Sequence, residues 1–160
     1  MIRDATIEDA AAFCEIYNAY VVGSIITFEE QKVPVDAMRA RISELTAAYP
    51  WLAFEDRGQV GGYAYASRWR ARASYRHSAE TTIYLAPHFQ RQGIGRRLYE
   101  ELIGRLRALG VHRVIGGIAL PNAGSVALHE GLGFRKVAHF GEVGRKFDRW
   151  IDVAYWQLDL

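Results

Sequence analysis

The chain has 160 residues, of which 50% are hydrophobic and 24% charged, as in an ordinary soluble domain long enough to form a real core. Its formal net charge of +2 gives no signature of nucleic-acid binding, because the basic residues cluster locally, at 68–76 and 91–97, as suits small anionic ligands. The single cysteine, Cys14, excludes an internal disulfide and fits a reducing compartment. It lies on the apolar side of a predicted helix, so we expect it in the core.

The sequence carries no targeting, membrane or metal signal. Its N-terminus lacks a basic start followed by an apolar run, and no apolar stretch approaches membrane-spanning length. We therefore expect a cytoplasmic protein without a membrane or nucleic-acid partner. His77 and His88 have no metal-ligand spacing with each other or with a cysteine, so no metal site is predicted.

The hydrophobic pattern alternates between helical and strand periods along the chain. Thr6 with Asp9 resembles a capping box at a helix start, and Gly110 and Gly133 mark helix ends. The predicted elements are strand 2–4, helices 6–19 and 34–48, strands 51–55, 60–69 and 78–85, helix 98–109, strand 111–120, helix 121–132, and strands 134–144 and 150–158. The order β-α-α-β-β-β-α-β-α-β-β predicts one α/β domain over residues 1–160, a mixed sheet with helices on both faces.

The most informative motif is Q-R-Q-G-I-G-R-R at residues 90–97, between a predicted strand and a helix. Gly93 and Gly95 let the backbone approach a ligand closely, and the free N–H groups of a helix start favour an anion. Arg91 and Arg96 add positive charge, so the motif predicts a pyrophosphate site. The alternative is a plain turn with solvated arginines. The motif matches neither an ATP-type P-loop nor the complete dinucleotide fingerprint.

These residues resemble the GNAT superfamily of N-acetyltransferases, and within it the phosphinothricin and methionine sulfoximine acetyltransferases. The acetyl-CoA turn of the superfamily is Q/R-x-x-G-x-G/A, here residues 90–95. The subgroup segments are E-I-Y-N (15–18), T-F (27–28), Y-R-H (75–77), E-T-T-I-Y-L-A-P (80–87), L-P-N (120–122), L-H-E-G-L-G-F (128–134) and E-V-G-R-K-F-D-R-W-I-D-V (142–153). The similarity covers essentially the whole chain, and V-G-R-K-F-x-R-W-x-D is its most subgroup-specific part.

The resemblance implies acetyl transfer from acetyl-CoA, without a metal, to the α-amine of a small acceptor such as phosphinothricin, methionine sulfoximine or methionine sulfone. It also implies a mostly antiparallel sheet and a homodimer. A splayed strand would bind the pantetheine arm, with a backbone N–H near its end facing the thioester carbonyl. The implied cofactor-binding residues are Ile83, Tyr84, Leu85, Arg91, Gln92, Gly93, Ile94, Gly95, Arg96 and Asn122.

Two titratable residues are candidates for catalysis. Attack on a thioester needs a free amine, and Glu80 is the first candidate base, at the position where the family has its proposed base. The alternative is a structural carboxylate paired with Arg72 or Arg76. His129 stands where many members of the superfamily have tyrosine. It could protonate the leaving thiolate or relay the amine proton, or it could simply pack within its helix.

The acceptor is expected to lie against the loop at 27–29 and the basic connection at 69–76. Arg72 suits a substrate carboxylate or phosphinate, and Glu29 suits the α-ammonium. Arg70 has the alternative of a solvated basic edge. Lys146 and Arg149 belong either to an exposed hairpin or, by resemblance, near a dimer contact that shapes the partner's pocket. The predicted substrate-binding residues are Phe28, Glu29, Arg72, Ala73, Ser74 and Tyr75.

Two other functions stay open at this stage. A protein N-terminal or ribosomal acetyltransferase would favour an open, peptide-length groove, whereas the long segment 21–33 and the bulky stretch 69–75 favour a closed pocket. A non-catalytic acyl-CoA sensor is disfavoured by Glu80, Asn122 and the intact glycine turn.

Overall fold

Seven strands form one sheet in the order β1-β2-β3-β4-β5-β7-β6, flanked by four α-helices. The structure is a computed structural model that describes residues 1–160. The strands are β1 (Ile2–Asp4), β2 (Trp51–Asp56), β3 (Gln59–Arg68), β4 (Ser78–Leu85), β5 (Arg113–Ala119), β6 (Arg135–Lys146) and β7 (Arg149–Asp159), and the helices are α1 (Ala10–Gly23), α2 (Val35–Thr46), α3 (Ile94–Ala108) and α4 (Ala123–Gly131). Only β4 and β5 pair in parallel, which confirms the predicted mixed, mostly antiparallel sheet.

The helices cover both faces of the sheet, as predicted. Successive strand residues point to opposite faces, and on β2 the ring of Trp51 stacks on Phe13 of α1 at 5.7 Å between centroids. Three residues further on, Phe54 faces the other side, where the guanidinium of Arg97 on α3 lies 5.8 Å from its ring centroid. Cys14 belongs to the buried core, as the sequence predicts. None of the helices combines the length and apolar character needed to cross a membrane.

Two helices begin or end away from their predicted boundaries. Asp9 accepts a hydrogen bond from the Thr6 N–H at 2.8 Å, so the capping interaction forms, although the first turn is a 3₁₀ turn. Helix α1 then continues to Gly23, because Val21 is buried in the core. Helix α3 begins at Ile94, four residues before the predicted start, directly after the left-handed Gly93.

Strands β4 and β5 diverge, and this divergence shapes the interior of the molecule. They pair only over Ser78 to Glu80 of β4, whereas β4 stays paired with β3 as far as Leu85 opposite Gly62. The next residue, Ala86, donates its N–H to Gly61. Because bonding direction alternates along an antiparallel pair, the N–H groups of Leu85 and Ile83 point away from β3, into the gap that β5 leaves.

Candidate active site

The gap between β4 and β5 opens into a cavity of about 610 Å³. Its wall is mixed in character and is built from both diverging strands, the start of α4, the loop after α1 and the C-terminal hairpin. The lining residues are Ile26, Thr27, Phe28, Arg70, Glu80, Thr81, Thr82, Ile83, Tyr84, Tyr99, Gly117, Ile118, Ala119, Asn122, Ser125, His129, Phe140, Val143, Val153 and Tyr155. Leu85, Gly93 and the other predicted turn residues lie outside this set.

Glu80 lies where the two strands separate, and its carboxylate faces the cavity. Burial raises the pKa of this carboxyl above its ordinary value, and the positive charge of Arg70 partly opposes that shift. No side chain hydrogen-bonds to it, so the alternative of a structural pair with Arg72 or Arg76 does not form. The structure therefore holds a half-buried carboxylate with free oxygens, able to accept a proton.

His129 of α4 is almost fully buried and lines the same cavity. Its Nδ1 lies 2.7 Å from the Ser125 carbonyl oxygen, which can only accept, so Nδ1 carries the proton. Burial lowers the pKa of the imidazole. The ring is therefore neutral near pH 7, and its unprotonated Nε2 accepts a hydrogen bond from the Tyr99 hydroxyl at 3.3 Å. In this state His129 is a proton acceptor and cannot itself donate a proton from Nε2.

The hydroxyl of Thr81 is buried and lies close to the Tyr99 hydroxyl. Thr81 lines the cavity next to Glu80, on the same strand as the free N–H of Ile83. Buried polar atoms in native proteins are nearly always hydrogen-bonded. The free backbone groups therefore fit a polar, extended ligand running along the open edge of β4.

The glycine turn presents free backbone donors at the start of α3. Gly93 has φ +76°, and Arg91 has φ +59°, the left-handed region in which only glycine is unstrained. The first helical bond runs from Arg97 N–H to the Gly93 carbonyl, so the N–H groups of Ile94, Gly95 and Arg96 have no acceptor in the protein. Such a turn favours an anion.

The turn is fixed in place next to β4. A Cβ at Gly95 would lie 3.5 Å from both Ile83 and Leu85, so α3 begins in close contact with the splayed strand. The Arg96 guanidinium hydrogen-bonds to Glu100 and to the Gly131 carbonyl of α4. The anion-binding turn and the cavity therefore lie at two ends of one strand.

The remaining predicted cofactor residues have local bonds. The Gln92 side chain donates to the His88 carbonyl at 2.6 Å, which holds the turn closed. Asn122 is the N-cap of α4, where its Oδ1 accepts from the Ser125 N–H at 3.1 Å. Asn122 also lines the cavity, so its amide NH₂ group is available to a ligand there.

Five of the six residues predicted to contact the acceptor lie outside the cavity. Arg72, Ala73, Ser74 and Tyr75 form an exposed 3₁₀ turn and do not line the cavity. The cation that does line it is Arg70, two residues earlier, whose guanidinium stacks at 4.1 Å from the Trp69 ring centroid. Sequence analysis left Arg70 as a possible solvated edge. Its side chain is indeed exposed, and it also lines the cavity close enough to Glu80 for its charge to act on that carboxyl.

Glu29 also lies away from the cavity, in contrast to the prediction. Its carboxylate is held by both terminal nitrogens of Arg41, at 2.6 and 2.9 Å, and by the Tyr17 hydroxyl. These hydrogen bonds, above all those of Arg41, lower the pKa of Glu29. The carboxylate is thus already neutralised, and of the predicted acceptor residues only Phe28 lines the cavity.

The hairpin of β6 and β7 supplies a wall that sequence analysis did not resolve into residues. Phe140, Val143 and Tyr155 line the cavity. Lys146, placed by sequence on an exposed hairpin or at a partner's pocket, is instead 3% exposed, and its ammonium donates to the carbonyls of Val21 and Thr27. Arg149 is exposed. Tyr155 pairs with Gly117 of β5. The alternation of side chains along β7 was the only feature of the sequence that could have predicted a cavity-facing tyrosine here.

No group of three or more His, Cys, Asp or Glu side chains is arranged to hold a metal ion. The chemistry that the cavity offers is thus that of a free carboxylate, a neutral imidazole, one guanidinium and unpaired backbone groups.

Comparison with known proteins gives the family. Residues 2–155 match the model of the acetyltransferase (GNAT) domain. The chain is 39% identical to phosphinothricin N-acetyltransferase of Streptomyces viridochromogenes, covering 99% of this chain and 86% of the relative. It is 38% identical to L-methionine sulfoximine/L-methionine sulfone acetyltransferase of Salmonella typhimurium, covering 99% and 94%.

Solved structures agree with these relatives. A phosphinothricin acetyltransferase from Sinorhizobium meliloti in complex with acetyl-CoA superposes with a TM-score of 0.96 at 39% identity, covering all of this chain and 88% of that one. A ribosomal-protein-alanine N-acetyltransferase from Brucella melitensis superposes with a TM-score of 0.97 at 37% identity, covering 100% and 99%. The chain therefore belongs to the GNAT family and is an acetyl-CoA-dependent N-acetyltransferase of the phosphinothricin acetyltransferase type.

Proposed function

We propose that the enzyme acetylates the α-amine of a small amino-acid-like acceptor of the phosphinothricin, methionine sulfoximine or methionine sulfone type. The observation that carries the proposal is the free, half-buried carboxylate of Glu80 in the cavity beside the open edge of β4. The acceptors named for the relatives from Streptomyces and Salmonella support the same class of substrate.

Glu80 acts as the general base in this proposal. The acceptor enters with its α-amine mostly protonated at pH 7, and Glu80 removes one proton. The amine nitrogen then attacks the thioester carbonyl carbon and a C–N bond forms. The C–S bond breaks to release the thiolate of CoA, and the second proton lost by the nitrogen is taken up by that thiolate. The N–H of Leu85, which points into the gap, is the proposed donor to the carbonyl oxygen as negative charge develops there.

His129 serves as a proton relay in this scheme. Its neutral ring accepts a hydrogen bond from Tyr99 through Nε2, so proton acceptance is supported better than direct protonation of the thiolate. Tyr99 is itself fully buried, and burial raises its pKa. The tyrosine hydroxyl therefore stays protonated and can pass a proton only in concert with the imidazole.

Acetyl-CoA binds along the open edge of β4. The pantetheine arm would lie against the backbone of Ile83, Tyr84 and Leu85, and the amide of Asn122 would meet the arm where it enters the cavity. The pyrophosphate would be held by residues Arg91, Gln92, Gly93, Ile94, Gly95 and Arg96. Three unpaired N–H groups at the start of α3 support this placement.

Arg70 replaces Arg72 as the proposed partner of the acceptor's carboxylate or phosphinate. Its guanidinium is the one cationic group that lines the cavity, and stacking on Trp69 orients it. Phe28 forms the apolar wall on the opposite side of the acceptor.

We propose that the protein is located in the cytoplasm and forms a homodimer, with the C-terminal hairpin at the contact between the two copies. Phe147 is 53% exposed and Trp150 62% exposed on this hairpin, an apolar surface that a second copy would cover. The free thiol of Cys14 suits the cytoplasm, and cell fractionation checks that location.

A second candidate, acetylation of a protein N-terminus, is favoured by the similarity to the Brucella ribosomal-protein-alanine N-acetyltransferase. It would need the peptide to leave through the side of the cavity bounded by the half-exposed Phe28 and Val143. A peptide library therefore belongs beside the small amines in any test of the acceptor.

The replacement Glu80→Gln tests the base directly. We expect kcat/KM for a small-amine acceptor to fall by about 10²–10⁴-fold, with Glu44→Gln, an exposed glutamate on α2, as the matched control. Glu80 must be ionised to act, so wild-type kcat/KM rises with pH through a pKa above the ordinary 4.5, and this limb disappears in the variant. Thiol release from acetyl-CoA, followed against pH, measures both effects.

Each other outcome of that assay has a definite meaning. Unchanged turnover in Glu80→Gln removes the base assignment. Release with peptides alone moves the acceptor to protein N-termini, and tight acetyl-CoA binding without release on any amine favours a sensor.

Arg70→Gln and Arg72→Gln separate the two candidate acceptor contacts. We expect Arg70→Gln to raise the KM of a carboxylate-bearing acceptor by about 10-fold or more, since a charged hydrogen bond is lost. Arg72→Gln should change it by less than about twofold, because Arg72 lies outside the cavity. Steady-state kinetics with acetyl-CoA saturating gives both values, and the reverse ranking would restore the sequence-based prediction for Arg72.

Gly93→Ala tests the glycine turn against a control with the same backbone strain. Gly93 has φ +76° and Gly110, at the far end of α3, has φ +77°. Alanine at either position should lower the free energy of unfolding by about 1 kcal/mol. Only Gly93→Ala should weaken acetyl-CoA binding, by about tenfold, as measured by calorimetry; equal affinities in the two variants would argue against a pyrophosphate at this turn.

Trp150→Glu tests the dimer. A buried charge would disrupt an apolar contact between copies, so we expect sedimentation at micromolar concentration to shift from dimer to monomer. Leu109→Glu, at a residue 60% exposed at the end of α3, should leave the mass unchanged. A monomeric wild-type protein would refute the proposal.

A further inference from the structure

The C-terminal hairpin carries a buried ammonium group that the chemistry above does not use. Lys146 ends β6 and is 3% exposed. Its Nζ donates to two backbone carbonyls, Val21 at 2.7 Å and Thr27 at 2.8 Å. A buried cation is costly unless its donors are satisfied, so both bonds are needed to hold it there.

The two carbonyls are the two ends of one short segment. Val21 lies in the last turn of α1, where carbonyls lack helical partners and a cation is favourable. Thr27 immediately precedes Phe28, the residue that lines the cavity. The Lys146 side chain therefore bridges the two ends of segment 21–27 and fixes the backbone position directly before Phe28.

The same strand also supplies the surface on which Phe28 rests. Gly144 lies two residues before Lys146, and a Cβ at Gly144 would come within 2.3 Å of the Phe28 Cε2 atom. The ring therefore packs directly against bare backbone. Phe28 itself is 42% exposed, so burial alone holds it weakly, and its position depends on the bonds that anchor its loop.

We propose that Lys146 is a positioning residue for the acceptor: its bonds to Val21 and Thr27 hold Phe28 against Gly144 as a wall of the cavity. The inference rests on the proposed function, in which Phe28 contacts the acceptor. A second anchor, the 2.7 Å bond between the hydroxyls of Tyr17 and Thr27, remains when Lys146 is changed. The loop is then loosened while the fold is kept.

The kinetic test uses Lys146→Met, with Lys32→Met as the same change at an exposed lysine. We expect Lys146→Met to raise the acceptor KM by about tenfold, because a charged hydrogen bond is lost, and to leave the KM of acetyl-CoA within about twofold. Gly144→Ala, which displaces the ring while keeping the ammonium, should act in the same direction. In a Phe28→Ala background both effects should shrink to less than about twofold.

Hydrogen exchange supplies a readout that needs no acceptor. Amides of residues 24–29 should exchange about tenfold faster in Lys146→Met than in Lys32→Met, while amides of β3 and β4 keep their protection. Should no small amine be acetylated by the wild type, the proposed function fails but the exchange result still tests the anchor. Unchanged exchange, or a KM effect of equal size in the Phe28→Ala background, would overturn the role of Lys146.

Discussion

The separation of β4 from β5 after Glu80 is the constraint on which the rest of the structure depends. A parallel pair that continued to Leu85 would satisfy every backbone group and leave no cavity. Because the pair stops at Glu80 opposite Ile115, the edge of β4 stays open inside the protein. Unpaired buried backbone groups cost free energy. A ligand that forms hydrogen bonds with these groups removes that cost and is thereby bound more tightly.

The surrounding elements keep that gap open, and different elements border its two ends. At one end, α3 begins against Ile83 and Leu85 with free N–H groups at the proposed pyrophosphate site. At the other, β7 pairs with β5 throughout and carries β6 over the cavity, so that Phe140 and Val143 close it. Glu80 lies at the point of separation, where the proposed sites of acetyl-CoA and of the acceptor meet.

Sequence predicted the elements and the glycine turn between β4 and α3 well, because both depend on local signals. The left-handed Gly93, the strand before it and the helix after it are neighbours along the chain, and periodicity placed every helix and strand to within a few residues. Most of the residues predicted for the acceptor end do not line the cavity, and the reason is physical. Glu29 and Arg72 have suitable chemistry, but whether a charged side chain faces a ligand depends on partners elsewhere in the chain. Arg41 neutralises Glu29, and an exposed turn carries Arg72 outward.

This difference has a consequence for how the enzyme can change. The proposed pyrophosphate turn is built from the contiguous residues 91–96, so a substitution there would act directly on the binding of acetyl-CoA. The acceptor end is built from contacts distant in sequence, of which the bond from Lys146 to Thr27 spans 119 positions. A residue can therefore alter the shape of the acceptor wall through the Phe28 loop without touching Glu80 or the glycine turn. One methylene in an apolar pocket is worth about 1–3 kcal/mol of discrimination. We therefore expect movements of the Phe28 loop to shift the preference among small amino-acid acceptors by about this amount, with Glu80 and the glycine turn unchanged.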